Sequence, residues 1–192
     1  MKNVIILGAS GNIARQVIDL LIEKEDINLT LFLRDKSRLR NKDVSKARII
    51  EGNVLDYDQL IEAITGQDII YVNLAGDLEA MANNIVKAME ETGVRRIIAI
   101  SSIGIYETPL RSVLKPYRKL ADVIEASNLD YTILRPTWFT NADEVDYEIT
   151  RKGEPEKGSV ISQKSLATFI NKIIESPEEY SRENLGINKP NS

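Results

Sequence analysis

Short apolar runs alternate with amphipathic stretches along most of this chain. The runs have the length and near-complete hydrophobicity of parallel strands that are covered on both faces. They lie at residues 2–7, 28–33, 47–51, 68–74, 96–100 and 130–134. Between them apolar residues recur at helical spacing, as at Ile13, Val17 and Leu21. The alternation predicts an α/β fold, a Rossmann-type doubly wound parallel sheet in a single domain spanning residues 1–192.

A glycine turn joins the first predicted strand to the first helix. In Gly8-x-x-Gly11-x-x-Ala14 the glycines permit a tight turn and the approach of a phosphate, and the small alanine lets helix and strand pack closely. The helix start offers free N–H groups and partial positive charge to a pyrophosphate. A turn without a ligand is the alternative.

The charged turn after the second strand bears on the choice of nucleotide. In a dinucleotide fold this strand end faces the adenosine ribose, where an acidic residue binds the 2′-hydroxyl of NAD. Arg34 stands first here, with Lys36 and Arg38 behind it, and a guanidinium suits a 2′-phosphate. Asp35 argues the other way, and a solvated charged loop is the alternative. The turn favours NADP(H) over NAD(H).

Small and polar residues follow the remaining strands at the same edge, where ligands of open parallel sheets collect. After the third strand, Asn53 and Val54 are expected beside adenine, while Asp56 is expected to cap the next helix. The other candidates at the strand ends are Leu74, Ala75, Gly76, Ser101, Ser102, Tyr106 and Pro136. The only tryptophan, Trp138, fits either a substrate wall or core packing.

The pattern loosens after residue 137, and we expect residues 137–192 to form a small C-terminal portion on the substrate side. Val145, Tyr147 and Ile149 alternate like a short exposed strand. A clear helical stripe between residues 166 and 174 follows, with Ser162 or Ser165 as its cap. Residues 185–188 are expected to form a final edge strand.

Composition narrows the chemistry. The chain lacks cysteine and histidine, which excludes disulfides, zinc sites made of those residues, and Ser-His-Asp triads. No metal site is expected. A net charge of −4 disfavours nucleic acid as a partner, and no apolar run reaches the roughly 20 residues of a membrane span. Without a signal-peptide pattern we expect a cytoplasmic monomer or homodimer that acts on a small molecule.

These pieces resemble the short-chain dehydrogenase/reductase superfamily, and within it the atypical NAD(P)H-binding or NmrA-like branch. The resemblance covers nearly the whole chain and is carried by residues 8–14, 32–36, 51–56, 98–102, 129–136 and 161–167. It implies that the cofactor is held by Gly8, Ser10, Gly11, Asn12, Ile13 and Arg34. It also implies that Leu74, Ala75 and Gly76 line the middle of the cofactor. Ser102 corresponds to the family's serine or threonine that bonds the substrate carbonyl.

The chain departs from the family at the Tyr-x-x-x-Lys pair that catalytic members carry on the helix after strand five. Lys119 matches the lysine, which holds the nicotinamide ribose, but Lys115 stands where the tyrosine is expected. Tyr117 is expected to point away from the face that carries Lys119. Tyr106, on the preceding loop, is the remaining candidate for a tyrosine acid.

Three functions are compatible with this pattern. The first is an NADP(H)-dependent reductase of a flavin, quinone or carbonyl compound, in which Ser102 polarises the acceptor and no tyrosine–lysine pair takes part. The second is a non-catalytic NADP(H) redox sensor of the NmrA-like type. The third is a sugar-nucleotide epimerase, which the short C-terminal portion and the missing tyrosine disfavour.

Overall fold

The computed structural model describes residues 1–39 and 43–192. The strands are β1 Lys2–Leu7, β2 Ile27–Leu33, β3 Arg48–Glu51, β4 Ile69–Val72, β5 Arg96–Ile100, β6 Asp130–Pro136, β7 Trp138–Thr140, β8 Glu148–Arg151, β9 Val160–Ser162 and β10 Glu183–Asn188. The helices are α1 Asn12–Leu21, α2 Tyr57–Ile64, α3 Leu78–Thr92, α4 Lys115–Glu125 and α5 Gln163–Glu175. Short 3₁₀ helices lie at Lys36–Leu39 and Ser112–Leu114.

In the described chain one sheet has the strand order β3-β2-β1-β4-β5-β6-β10-β8. Every pair in it is parallel except β10 with β8. The chain runs outward from β1 to β3 and then returns to the other side of β1 with β4. The predicted doubly wound parallel sheet is therefore confirmed, and the switch point between β1 and β4 is where such sheets bind ligands.

Helices cover both faces of this sheet, which explains why residues 4–7 of the central strand β1 are apolar at consecutive positions. In β1, Val4 and Ile6 pack in the layer that contains α1 and α5. Ile5 and Leu7 pack on the other face, in the layer that contains α2, α3 and α4. All four side chains are fully buried, as expected for a parallel strand between two helical layers. No helix of the described chain is both long and apolar enough to cross a membrane.

The C-terminal portion differs from its prediction in one respect. The predicted edge strand belongs to β10, which lies between β6 and β8 inside the sheet, so the expectation of an edge was wrong. Leu185 and Ile187 are buried there, and the edge is instead β8. The small parallel sheet of β7 and β9 was not anticipated. The N-cap of α5 is Ser162, whose hydroxyl accepts a hydrogen bond from the Ser165 amide at 2.9 Å.

Candidate active site

Two adjoining cavities, which together we call the cleft, lie along the carboxyl ends of the parallel strands. The glycine-loop cavity, about 170 Å³ in volume, lies over β1, β2 and β3 between Gly8, Arg34 and Asn53. The aromatic cavity, about 340 Å³, lies over β5, β6 and β7 between Ser102, Tyr117 and Trp138. Asn73 and Leu74, which follow β4, line both cavities and join them.

Asn73 explains why the turn before α1 needs glycine. Gly8 has a φ of +87°, and a Cβ built on it would lie 2.2 Å from the Asn73 carbonyl oxygen. A Cβ on Gly11 would lie 2.2 Å from the Asn73 side-chain nitrogen. Both glycines therefore let the start of α1 press against the end of β4, which is the close approach that the motif predicts.

The first turn of α1 is open to an anion. Gly11 is its N-cap, so no side chain accepts a hydrogen bond from the first amides, and the first turn holds no acidic residue. By contrast, α2 and α3 are capped by Asp56 and Asp77, and the predicted capping role of Asp56 is thus confirmed. Asn12 and Ile13 contribute backbone amides, since the Ile13 side chain is buried in the core. This cradle fits the pyrophosphate of a dinucleotide.

The basic turn after β2 presents its arginines to the glycine-loop cavity. Arg34 and Arg38 both line it. The Asp35 carboxylate instead accepts hydrogen bonds from the Ser37 hydroxyl at 2.6 Å and the Ser37 amide at 2.9 Å. These two bonds hold the pKa of Asp35 below its usual value. Asp35, the residue that argued against NADP(H) in the sequence, is therefore engaged in hydrogen bonds within its own turn.

The remaining predicted residues of this half lie around the same cavity. Asn53, Val54, Leu74 and Ala75 line it together with Ser10. The Asn53 side-chain Oδ1 accepts a hydrogen bond from the Leu55 amide at 3.1 Å, which fixes the turn after β3. Gly76 is exposed, has a φ of +111°, and is not among the residues that line either cavity.

The aromatic cavity is made of side chains from separate segments. Ser102 is half-buried at the end of β5, and Pro136 ends β6. Trp138 and Phe139 of β7 form a wall and are 73% and 46% exposed, so Trp138 belongs to the cleft and not to the core. Ser101 is buried, and its hydroxyl donates to the Tyr117 carbonyl oxygen at 3.0 Å, which anchors α4 beside the cleft.

The structure does not bring Tyr106 to this cleft. The chain turns at Gly104, which has a φ of +80°, and carries Tyr106 away from Ser102. The Tyr106 hydroxyl accepts a hydrogen bond from Asn184 at 2.7 Å and donates one to Glu125 at 3.3 Å. Burial and the Glu125 carboxylate raise the pKa of Tyr106, which makes it a poorer acid. Tyr106 lines a different, open cavity.

Lys119 also lies outside the cleft, and the expected orientation of α4 has to be corrected. Its ammonium group lies 3.2 Å from Glu79 on the outer surface between α3 and α4. Tyr117, expected to face away, lines the aromatic cavity. Residues two apart on a helix are separated by about 200°, so only one of the two can face the cleft.

Sequence reasoning missed several residues that line the cleft. Asn73 directly follows the buried strand β4, and this position could have marked it. Phe139 lies in the polar-aromatic segment after β6 that the sequence placed at this edge, but it was not singled out. Arg111 carried no local signal, because it reaches the cavity through the packing of the loop before α4.

A parallel sheet with a switch point, a glycine cradle and an uncapped helix start together define a dinucleotide-binding protein of the Rossmann type. The sequence matches the family described as NAD(P)H-binding over residues 8–177. The chain belongs to this family, and its structural neighbours lie in the short-chain dehydrogenase/reductase group.

Solved structures agree over the whole chain. A Rossmann-fold NAD(P)-binding family protein from Shigella flexneri is 48% identical, with a TM-score of 0.93 over 100% of this chain and 95% of its own. A short-chain dehydrogenase/reductase from Veillonella parvula in complex with NADP is 28% identical, with a TM-score of 0.90 over 99% and 95% of the two chains.

Two curated relatives are more distant. The uncharacterized sugar epimerase YhfK of Bacillus subtilis is 26% identical over 94% of this chain and 90% of its own length. The phenylcoumaran benzylic ether reductase PT1 of Pinus taeda is 26% identical over 72% of this chain. The match spans about half of that reductase, 49% of its length.

Proposed function

We propose that this protein is an NADP(H)-dependent oxidoreductase that reduces a small flavin, quinone or carbonyl compound. The adjacency of the two cavities, whose linings share Asn73 and Leu74, carries the proposal. A dinucleotide held at Gly8, Gly11 and the start of α1 is long enough to extend past that junction into the aromatic cavity. When bound, NADPH supplies a hydride equivalent to the acceptor.

Arg34 supports the preference for NADP(H). It lines the cavity where the adenosine ribose is expected, and the neighbouring Asp35 carboxylate is engaged by Ser37. A guanidinium in this place favours a 2′-phosphate through charge-assisted hydrogen bonds. The NADP bound to the Veillonella parvula relative agrees with this preference.

Within the aromatic cavity each side chain has a separate task. The Ser102 hydroxyl donates a hydrogen bond to the acceptor oxygen and stabilises the negative charge that develops there. Tyr117 and Trp138 flank the rings of the acceptor. Hydride addition leaves a negative charge on the acceptor oxygen, and the proton that this oxygen takes up comes from water, which reaches the cavity past the exposed Trp138. Neither Tyr106 nor Lys119 lines this cavity.

Oxidation of NADPH, followed by its near-ultraviolet absorbance, tests the proposal. The acceptors are FMN, menadione and small aldehydes, each measured against a blank without protein. We expect turnover with at least one of the aromatic acceptors and a lower KM for NADPH than for NADH. Failure of both nucleotides to bind at millimolar concentration overturns the proposal.

A redox sensor of the NmrA-like type is the second candidate. It is favoured by one observation, that the described residues lining the aromatic cavity include no lysine to pair with Tyr117. Tight NADP(H) binding, measured by calorimetry, without turnover of any acceptor would favour the sensor over the reductase.

A further inference from the structure

Three aromatic side chains line the aromatic cavity. They are Tyr117, Trp138 and Phe139, and Val113 lines it as well. Val113 is 70% exposed and Trp138 73%, so a large apolar surface lies open to water in this structure. Flat aromatic compounds bury such surface and stack favourably on indole and phenyl rings.

In the part of the chain that the structure describes, the aromatic cavity carries charge of one sign only, which is positive. Arg111 is the only charged residue among the described residues that line it. Arg111 forms none of the ion pairs or side-chain hydrogen bonds found between residues of the described chain, and it is exposed. The protein as a whole carries a net charge of −4. An unpaired guanidinium at this place in an acidic protein therefore gives the cavity a local attraction for anions.

Ser102 supplies the third feature of the cavity. Its hydroxyl is half-buried and donates only to the neighbouring Ile103 carbonyl oxygen at 3.1 Å, within its own turn. A ring carbonyl of a bound acceptor can replace that weak local partner. The cavity thus combines flat aromatic walls, a hydroxyl donor and one guanidinium.

We propose that the acceptor is a planar aromatic carbonyl compound with an acidic substituent, and that Arg111 binds that substituent and determines specificity. The inference rests on the proposed function in one respect, that the bound compound accepts a hydride. The preference for an anionic ring is a binding property and requires no turnover. Carboxylate, sulfonate and phosphate groups all match the guanidinium, so the shared property is an anion on a flat ring.

Trp138 provides a direct readout of binding, because it is the only tryptophan in the chain and lies in the cavity wall. The probes are 1,4-naphthoquinone-2-sulfonate and menadione, which differ in the charge of the substituent at the same ring position. Each is titrated with NADP⁺ present while tryptophan fluorescence is followed, with N-acetyltryptophanamide correcting for absorption by the probe. The chain has no cysteine that the quinones could modify.

We expect both probes to quench Trp138, and the sulfonate to bind about tenfold more tightly than menadione. Arg111→Gln should remove this difference, and Arg111→Lys should retain part of it. Lys115→Gln, which removes an exposed cation close to the cavity but outside its lining, should retain all of it. Added salt should weaken binding of the sulfonate only.

Equal affinities for the two probes in the wild type, or a preference that persists in Arg111→Gln, overturn the inference. The outcome is separable from the proposed function. A preference that depends on Arg111 without any NADPH oxidation supports the anion site and counts against the reductase. If both probes oxidise NADPH and bind with equal affinity, the result contradicts the anion site and supports the reductase.

Discussion

The two halves of the cleft are built in different ways. The glycine-loop cavity depends on backbone: two glycines lie against Asn73, and the first amides of α1 remain uncapped. The aromatic cavity depends on side chains from four separate segments, with Arg111 and Trp138 exposed. Backbone geometry tolerates little change, whereas exposed side chains can be exchanged without disturbing the fold. We therefore expect nucleotide binding to be a fixed property of this fold and acceptor specificity to be an adjustable one.

Adding a methyl group to the glycine loop should produce the largest effect. Gly8→Ala forces a Cβ to within 2.2 Å of the Asn73 carbonyl oxygen at a φ of +87°. Gly66→Ala is the matched control, because Gly66 has a φ of +78° and its Cβ would meet nothing within 4 Å. We expect the control to lower the free energy of unfolding by about 1–2 kcal/mol through backbone strain alone.

The difference between the effects of Gly8→Ala and Gly66→Ala measures the contribution of the close approach to Asn73. We expect a larger loss of stability than in the control, measured by urea denaturation, and NADPH affinity reduced by more than about a hundredfold. Equal effects of the two substitutions on stability and on NADPH binding would show that the contact with Asn73 carries no weight.

Ser102→Ala should lower the rate of the reaction without changing nucleotide binding. If its hydroxyl stabilises charge on the acceptor oxygen, kcat should fall by about ten- to a thousandfold while the Kd for NADPH stays unchanged. Ser102→Thr keeps the hydroxyl and should restore most of the rate. Steady-state kinetics together with calorimetry check both quantities, and an unchanged kcat in the alanine variant removes Ser102 from the mechanism.

Arg34→Glu should change which nucleotide binds. We expect the preference for NADP(H) over NAD(H), as a ratio of Kd values, to fall by about tenfold or more, since a favourable charge becomes a repulsive one. Lys36→Glu reverses the same charge in the same turn, but the Lys36 ammonium group pairs with Glu51 and does not line the cavity. Comparable losses in both variants would mean that the turn acts only through its overall charge.

The same contrast explains how far the sequence could be interpreted. The alternation of strands and helices and the spacing of Gly8 and Gly11 are local patterns, so they predicted the sheet and the turn at its switch point. Arg111 reaches the cleft through packing between distant segments, which no local pattern records. The predicted orientation of α4 was wrong. The motif comparison assigned Lys119 to the face toward the cleft, whereas packing against α3 places that residue outside.

Lys119→Ala should have the smallest effect, because Lys119 lies outside the aromatic cavity. The Lys119 side chain is 54% exposed, and its ammonium group pairs with Glu79 across two surface helices, so its loss should change stability by less than about 1 kcal/mol. We expect kcat and the KM for NADPH to stay within about twofold of the wild type, whereas Tyr117→Leu, two positions away, should raise the KM of an aromatic acceptor severalfold. A large rise in the KM for NADPH in Lys119→Ala would mean that α4 rotates on binding and brings the lysine to the nicotinamide ribose.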